Sequence, residues 1–423
     1  MYSVFEEKES VVRSYCRKYP VKFSKAKNAE MYSEEGKRYI DFLAVAGSMN
    51  YGHNNTYIKT RILEYLSEDN IINSLDMYTS AKESFLVTLD EKILQPRKLN
   101  YKVMCCGPTG TNAVEAALKL ARKNKKRPHI WAFSGAFHGM SLGSLAMTTD
   151  KTSREGAGVP LNYVSFMPYE NNGIVDSIKY MEMILADDHS GFEKPAAIVI
   201  ETIQAEGGIN VASADFLRKL RDFCYEQDIL LIIDDIQVGN GRSGDFFSFE
   251  RAGIEPDMVV LSKSISGFGM PMALLLLRPE LDIFKPAEHN GTFRGNQLSF
   301  IGGAAGINYF VENDLDKEIK RKGDMIKRFI EEKIVPLDNR ISFRGLGMIW
   351  GIDFRDINSS YAIDLVHRAF DKGLIIEVAG REDSVLKIMP PLTIEDNILL
   401  EGLNIIYNSV VELLDDNNKM IHF

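Results

Sequence analysis

The chain has 423 residues, 45% of them hydrophobic and 26% charged, with a formal net charge of -9. That length exceeds one ordinary core and predicts two or three domains, and the composition excludes a disordered or fibrous protein. With an acidic balance and one short basic run, Arg122-Lys123-Asn124-Lys125-Lys126-Arg127, nucleic acid is not an expected partner.

No internal repeat or low-complexity linker marks a boundary, so the organisation is read from changes in pattern. Residues 1–55 contain Lys37-Arg38-Tyr39-Ile40-Asp41-Phe42, predicted as a hairpin arm that packs on the C-terminal unit or on a partner subunit. Residues 56–313 are predicted as a large α/β domain. Within it, short apolar runs alternate with amphipathic ones, as parallel strands alternate with crossover helices. The predicted strands are Val103-Cys106, Ile130-Phe133, Ala197-Ile200, Leu230-Ile233, Met258-Leu261 and Ala273-Leu277, all bare of charge. Helices are predicted at 112–123 and 215–226, the second with Ser213 as N-cap. The basic run at 122–127 closes the first, where cations offset the macrodipole.

Residues 314–423 are predicted as a smaller α+β domain, opened by a long polar helix near 315–332. Strands follow at 347–354, 374–377 and 385–389, with helices at 362–370 and 397–414. The opening MYSVFEEKES carries acids where an export signal needs a basic and then an apolar segment, and no apolar run of about 18 residues occurs. A cytoplasmic protein that does not span a membrane is expected. Cys16, Cys105, Cys106 and Cys224 form neither a CxxC pair nor a metal-ligand spacing, and are read as reduced thiols, with no metal site.

Three features carry chemistry. Cys106-Gly107-Pro108-Thr109-Gly110-Thr111-Asn112 leaves a strand and opens a helix, where backbone N–H groups and the dipole cradle a phosphate. The GK[ST] ending of a nucleotide P-loop is absent, which argues against a nucleoside triphosphate. Ile232-Ile233-Asp234-Asp235 sets a carboxylate at the C-terminal end of a strand, where open α/β sheets bind ligands, although either acid could instead cap a turn. Leu261-Ser262-Lys263 delivers a lysine at the end of the neighbouring strand among apolar and small residues, which favours a lowered pKa and nucleophilic use. A phosphate cradle, a strand-end acid and a strand-end lysine together suit a cofactor with a phosphate, a basic ring nitrogen and an aldehyde, and pyridoxal 5'-phosphate (PLP) has all three.

Here the sequence resembles the class III (ω-amino acid) aminotransferases of PLP fold type I over nearly its whole length. The likeness is carried in order by Asp41-Phe42-Leu43, Gly52-His53-Asn54, Gly110 to Ala117, Phe137-His138-Gly139, Glu201 to Gly208, Asp234 to Gln237, Gly241 to Gly244, Ser262-Lys263 and Gly291 to Asn296. Within the family the loops at 106–112 and 288–296 are most similar to the branch that acts on diaminobutyrate and 2-oxoglutarate, of the ectoine-pathway type. The resemblance implies that Gly110 and Thr111 hold the phosphate, with Thr292 reaching it from the other subunit of a homodimer. It implies that Phe137, beside His138, stacks on the cofactor ring and Ile236 packs on the other face. Asp234 would pair with the ring nitrogen, Gln237 with the phenolate oxygen, and Lys263 would bond the aldehyde and shuttle the proton.

Two departures bear on substrate. The family usually has an arginine three residues before Pro-Pro-Leu to grip a substrate carboxylate, covered by Glu206; here Lys387 precedes Pro390-Pro391-Leu392, a point charge in place of a fork. Lys387 is then either the grip, aided by Arg294 or Arg381, or a strand lysine on a solvated face. Ala44-Val45-Ala46-Gly47-Ser48 stands where the diaminobutyrate branch carries more glycine. The expected reaction moves an amino group from glutamate to L-aspartate 4-semialdehyde, giving L-2,4-diaminobutyrate. The alternatives on the same fold are another ω-amine (ornithine, 4-aminobutyrate, putrescine), an aminomutase or a racemase; a non-catalytic PLP sensor needs no base at the substrate carbon.

Overall fold

The computed structural model describes residues 4–170 and 175–421. Near the N-terminus, β1 (Phe23–Lys27), β2 (Glu30–Ser33) and β3 (Arg38–Asp41) form an antiparallel arm. Next come β4 (Lys102–Gly107), β5 (Ile130–Phe133), β6 (Val164–Met167), β7 (Ala197–Ile200), a small hairpin of β8 (Ile203–Gln204) and β9 (Asn210–Val211), β10 (Leu230–Asp234), β11 (Met258–Leu261) and β12 (Ala273–Leu277). The C-terminal strands are β13 (Ser342–Leu346), β14 (Ile349–Asp353), β15 (Leu374–Ile375), β16 (Glu377–Ala379) and β17 (Val385–Ile388).

The large sheet has the order β4-β12-β11-β10-β7-β5-β6, and only β12 runs against its neighbours. Its strands read as continuous apolar runs because both faces are covered. Strand periodicity divides them between two cores: Trp131, Phe133, Leu231 and Ile233 enter one, while Ile130, Ala132, Leu230 and Ile232 enter the other. Neighbouring Cys105 and Cys106 likewise pack against opposite cores, and all four cysteines are free. The strand β6 (VSFM) is missing from the sequence reading because its serine and partial burial break the apolar signal.

The helix Gly110–Lys125 starts at a Thr109/Asn112 capping box and lays Ala113, Ala116, Ala117, Leu120 and Ala121 on the sheet, small side chains that permit a close approach. Its basic end is spoken for by acids, Lys123 by Glu288 and both Lys125 and Arg127 by Asp228, which agrees with a solvated helix end. Ser213 caps the helix Ala214–Glu226 by accepting from Phe216 N at 3.0 Å.

In the C-terminal part, the expected strand at 374–377 is instead two strands in different sheets, since the chain turns at Ile376. β15 pairs in parallel with β3, so the N-terminal arm is tied to the C-terminal segment within one chain. β16 joins the antiparallel sheet β13-β14-β17-β16, and the stretch predicted at 347–354 is one arm of the β13–β14 hairpin. The long polar helix runs from Leu315 to Phe329 and continues as a wider turn to Ile334. Arg242 clamps these parts together: fully buried, it donates to the carbonyls of Met348, at 3.0 Å, and Pro390, and to Asn50 Oδ1 at 2.6 Å. No helix among the described residues is long and apolar enough to cross a membrane.

Candidate active site

Parallel strands bring their C-terminal ends to one edge of the sheet, and three chain segments converge there. β10 ends on Asp234, whose residue pairs with Val260 of β11; two residues beyond β11 stands Lys263. The Asp234-Asp235 ambiguity is resolved by orientation. Asp235 turns away, accepting from Ser248 N at 3.1 Å, while Asp234 faces the cavity and its Oδ2 meets His138 Nδ1 at 2.7 Å.

Lys263 opens a short 3-10 turn with φ of 55°, a left-handed conformation that costs a non-glycine residue roughly 1 kcal/mol. The turn is pinned around it by Ser262 Oγ donating to Met272 O and Ser264 Oγ donating to Gly47 O, each at 2.7 Å. Gly267 ends the turn at a φ of 72°, and a Cβ there would lie 2.0 Å from the Gly302 carbonyl. The Lys263 ammonium donates to Ala46 O at 2.7 Å. Burial lowers its pKa to about 8.

Ala44, Val45 and Ala46 all have positive φ, between 46° and 52°. Each of the three positions is one that glycine adopts without strain and that alanine and valine adopt at a cost. The Ala46 carbonyl also accepts from Gln237 Nε2 at 3.2 Å.

A cavity of about 170 Å³ gathers Gly110, Thr111, Phe137, His138, Asp234, Ile236, Gln237, Lys263 and Glu206. Gly110 lets Ile236 pack closely, since a Cβ would lie 2.8 Å from Ile236 Cδ1 and push that side chain aside. Lys387 is not on a solvated face, the alternative that its sequence left open. It is fully buried, donates to Glu206 Oε1 at 2.8 Å and faces Glu377 Oε1 at the same distance. Thr292 and Arg294 do not reach the cavity within the chain. Thr292 is exposed, and Arg294 lies in a separate hollow with Cys105 and Gly107, bonded to the His289 carbonyl.

Three further groups were given no role at the site from the sequence: Glu201, Glu377 and the Ala46 carbonyl. Glu201 follows β7 as Asp234 ends β10, an acid at the end of a charge-free strand, and that pattern would have found it. It accepts from Phe137 N at 2.9 Å, and burial raises its pKa to about 8. Burial opposes a charge on His138, but the hydrogen bond and field of Asp234 outweigh it and raise its pKa.

These groups fit PLP. The amides at the start of the helix Gly110–Lys125 suit a phosphate, Asp234 a protonated ring nitrogen and Lys263 an aldehyde. Gln237 Oε1 and His138 Nε2 are buried without a hydrogen-bond partner, as expected of a cavity shaped for a polar ring. The family model described as aminotransferase class-III matches residues 13–410. The chain is a class III aminotransferase.

Its relatives support this over the full length. A protein of Streptomyces coelicolor named diaminobutyrate–2-oxoglutarate transaminase is 50% identical over 418 residues, covering 97% of this chain and 98% of its own. A protein of the same name from Bordetella parapertussis is 47% identical, covering 98% and 96%. Among solved structures, the ornithine aminotransferase of Toxoplasma gondii, described with partial occupancy of PLP at its active site, matches with a TM-score of 0.85 at 22% identity, covering 98% and 94%. An aminotransferase of Bacillus anthracis matches with a TM-score of 0.86 at 20% identity, covering 96% and 97%. At such identity these structures speak for the fold, the type I fold of PLP enzymes.

Because the neutral amine is the nucleophile, uptake of PLP by cofactor-free aminotransferase is expected to accelerate as pH rises through about 8, where Lys263 loses its proton. Stopped-flow absorbance measures it; a rate indifferent to pH across that range contradicts the assigned nucleophile.

Proposed function

We propose that this aminotransferase moves an amino group between glutamate/2-oxoglutarate and the ω-position of L-2,4-diaminobutyrate, the carbonyl partner being L-aspartate 4-semialdehyde. One observation carries the reading: Lys387, a buried cation close enough for its charge to act on Lys263, is bonded to Glu206, which lines the cavity that the family's cofactor residues form. The names of the relatives point to the same substrates.

Bound PLP supplies an electron-withdrawing ring that stabilises charge developing at the substrate carbon. Asp234 is the carboxylate that holds the proton on the ring nitrogen, and His138 fixes its orientation at 2.7 Å. Gly110 and Thr111 would hold the phosphate and Phe137 and Ile236 would pack on the ring, while Gln237, whose amide donates here to Ala46 O and Glu206 Oε1, would turn that amide to donate to the phenolate oxygen. Lys263 Nζ removes the proton from the amine-bearing carbon and returns it at the far side of the transfer, a role that a pKa of about 8 suits. Lys387 receives a substrate carboxylate. Arg381, whose guanidinium has no ion-pair partner among the described residues, stands at the mouth, a hollow of about 690 Å³ that shares Phe137 and Glu206 with the cavity.

The reading includes a cytoplasmic homodimer. Thr292 stands in a strip with exposed Ile71, Ile72, Leu75, Met77, Tyr78 and Phe293, bound together by Ser74 N donating to Gly295 O. A second copy covering that face would bring Thr292 to the partner's phosphate site. Sedimentation equilibrium is expected to give twice the 47.7 kDa chain mass, and a monomer would count against the shared site.

Lys387→Ala is expected to raise KM for 2-oxoglutarate by roughly 30-fold, the loss of about 2 kcal/mol from a charge-assisted hydrogen bond, and to change KM for diaminobutyrate much less. Steady-state kinetics with both substrates decides it; equal effects remove Lys387 from carboxylate recognition.

A further inference from the structure

Lys387 has two carboxylate neighbours, and they are held differently. Glu377 sits on β16 directly opposite Lys387 of β17 in the sheet register, with its side chain only 4% exposed. Its second oxygen faces the Tyr15 hydroxyl of the helix Tyr15–Lys18 at 3.4 Å. Glu206 comes from a turn after β8, is 33% exposed, and lines both the cofactor cavity and the mouth. Among the described residues Gln237 is its only other side-chain donor, at 3.1 Å.

We infer that Glu377 is the fixed counter-ion of Lys387 and a positioning residue for substrate: Glu206 yields its place to a substrate carboxylate while Glu377 keeps the lysine charged. This rests on the reading of Lys387 as the carboxylate grip. The physical need is clear from the burial. A lone ammonium taken out of water costs several kcal/mol and sheds its proton instead. Were Glu206 the sole partner, each departure would strip Lys387 of the charge that the incoming carboxylate needs. With Glu377 in place the exchange swaps one negative charge for another, and the net charge around Lys387 does not change. Burial opposes the charge on Lys387, yet Glu206 and Glu377 together hold its pKa above the ordinary lysine value. The other ionisable groups that feel the trio are Lys263, whose charge disfavours that of Lys387, Tyr15 and Tyr19 near Glu377, and Glu201 near Glu206.

The test uses the PLP-loaded enzyme and glutarate, a dicarboxylate with no group to transfer, titrated by calorimetry from about pH 7 to about pH 9. In Glu206→Gln, Glu377 alone supports Lys387, and glutarate affinity is expected to stay within about twofold across that range. In Glu206→Gln/Glu377→Gln the lysine has no counter-ion, so affinity is expected to fall roughly tenfold or more toward the alkaline end. Glu206→Gln/Glu377→Asp, which retains the charge, is expected to behave as Glu206→Gln does. Parallel profiles for the three variants, or an aspartate variant that behaves as the glutamine one, overturn the role of Glu377. If Glu206→Gln/Lys387→Met binds glutarate as tightly as Glu206→Gln, the carboxylate grip itself is wrong. Visible cofactor absorbance reports that each variant is folded, and titration of groups common to all of them cancels in the comparison.

Discussion

A charge removed from water must find a partner, and the active site is arranged around that constraint. Asp234 is met by His138, Lys387 by two carboxylates, and Lys263 by the carbonyl of Ala46. Lys263 has the weakest support, a neutral carbonyl in place of an anion, and it is the group that gives up its charge most readily. The same burial that lowers the lysine's pKa obliges the surroundings to be rigid. Strain follows from this: the left-handed turn at Ala44, Val45 and Ala46 aims one carbonyl at Lys263 and Gln237, and Lys263 is itself left-handed. Such conformations persist only where packing over-determines them, here through the serines and Gly267 that fix the turn after β11.

Much of the large sheet was legible because its strands are buried on both faces and carry no charge. β5, β7, β11 and β12 begin and end where the apolar runs do. The chemistry was legible for a related reason: a charged residue that ends a charge-free strand, as at Asp234, or shortly follows one, as at Lys263, is conspicuous. What escaped depends on tertiary register. Glu377 reads as the last residue of an apolar run, Leu374-Ile375-Ile376, and nothing local says that the chain changes sheets there or that β16 faces Lys387 across the ladder. The Ala46 carbonyl is backbone and has no residue type to read. Positive φ at alanine and valine is likewise invisible in a sequence.

The lysine at 387 gains a meaning from its setting. An arginine brings five donors in a planar fork, whereas an ammonium offers three that rotate freely. Placed between Glu206 and Glu377, Lys387 donates to the first and forms an ion pair with the second, and in the proposed reading the pocket thereby keeps a carboxylate site that trades one anion for another. In the proposed reading, the cofactor is anchored from the large sheet, and the substrate carboxylate is met by a lysine of the C-terminal sheet together with Glu206 from the turn after β8. The large sheet supplies Asp234 and Lys263, and the C-terminal sheet supplies Lys387 and Glu377.

The whole account turns on Lys263. Reduction of the PLP-loaded enzyme with borohydride fixes the cofactor to the amine that carries it, and peptide mapping by mass spectrometry then locates it. The phosphopyridoxyl mass is expected on the peptide containing Lys263, and nowhere in Lys263→Ala. A label on another lysine, or an unlabelled and colourless protein after PLP is added and dialysed, would contradict the site described.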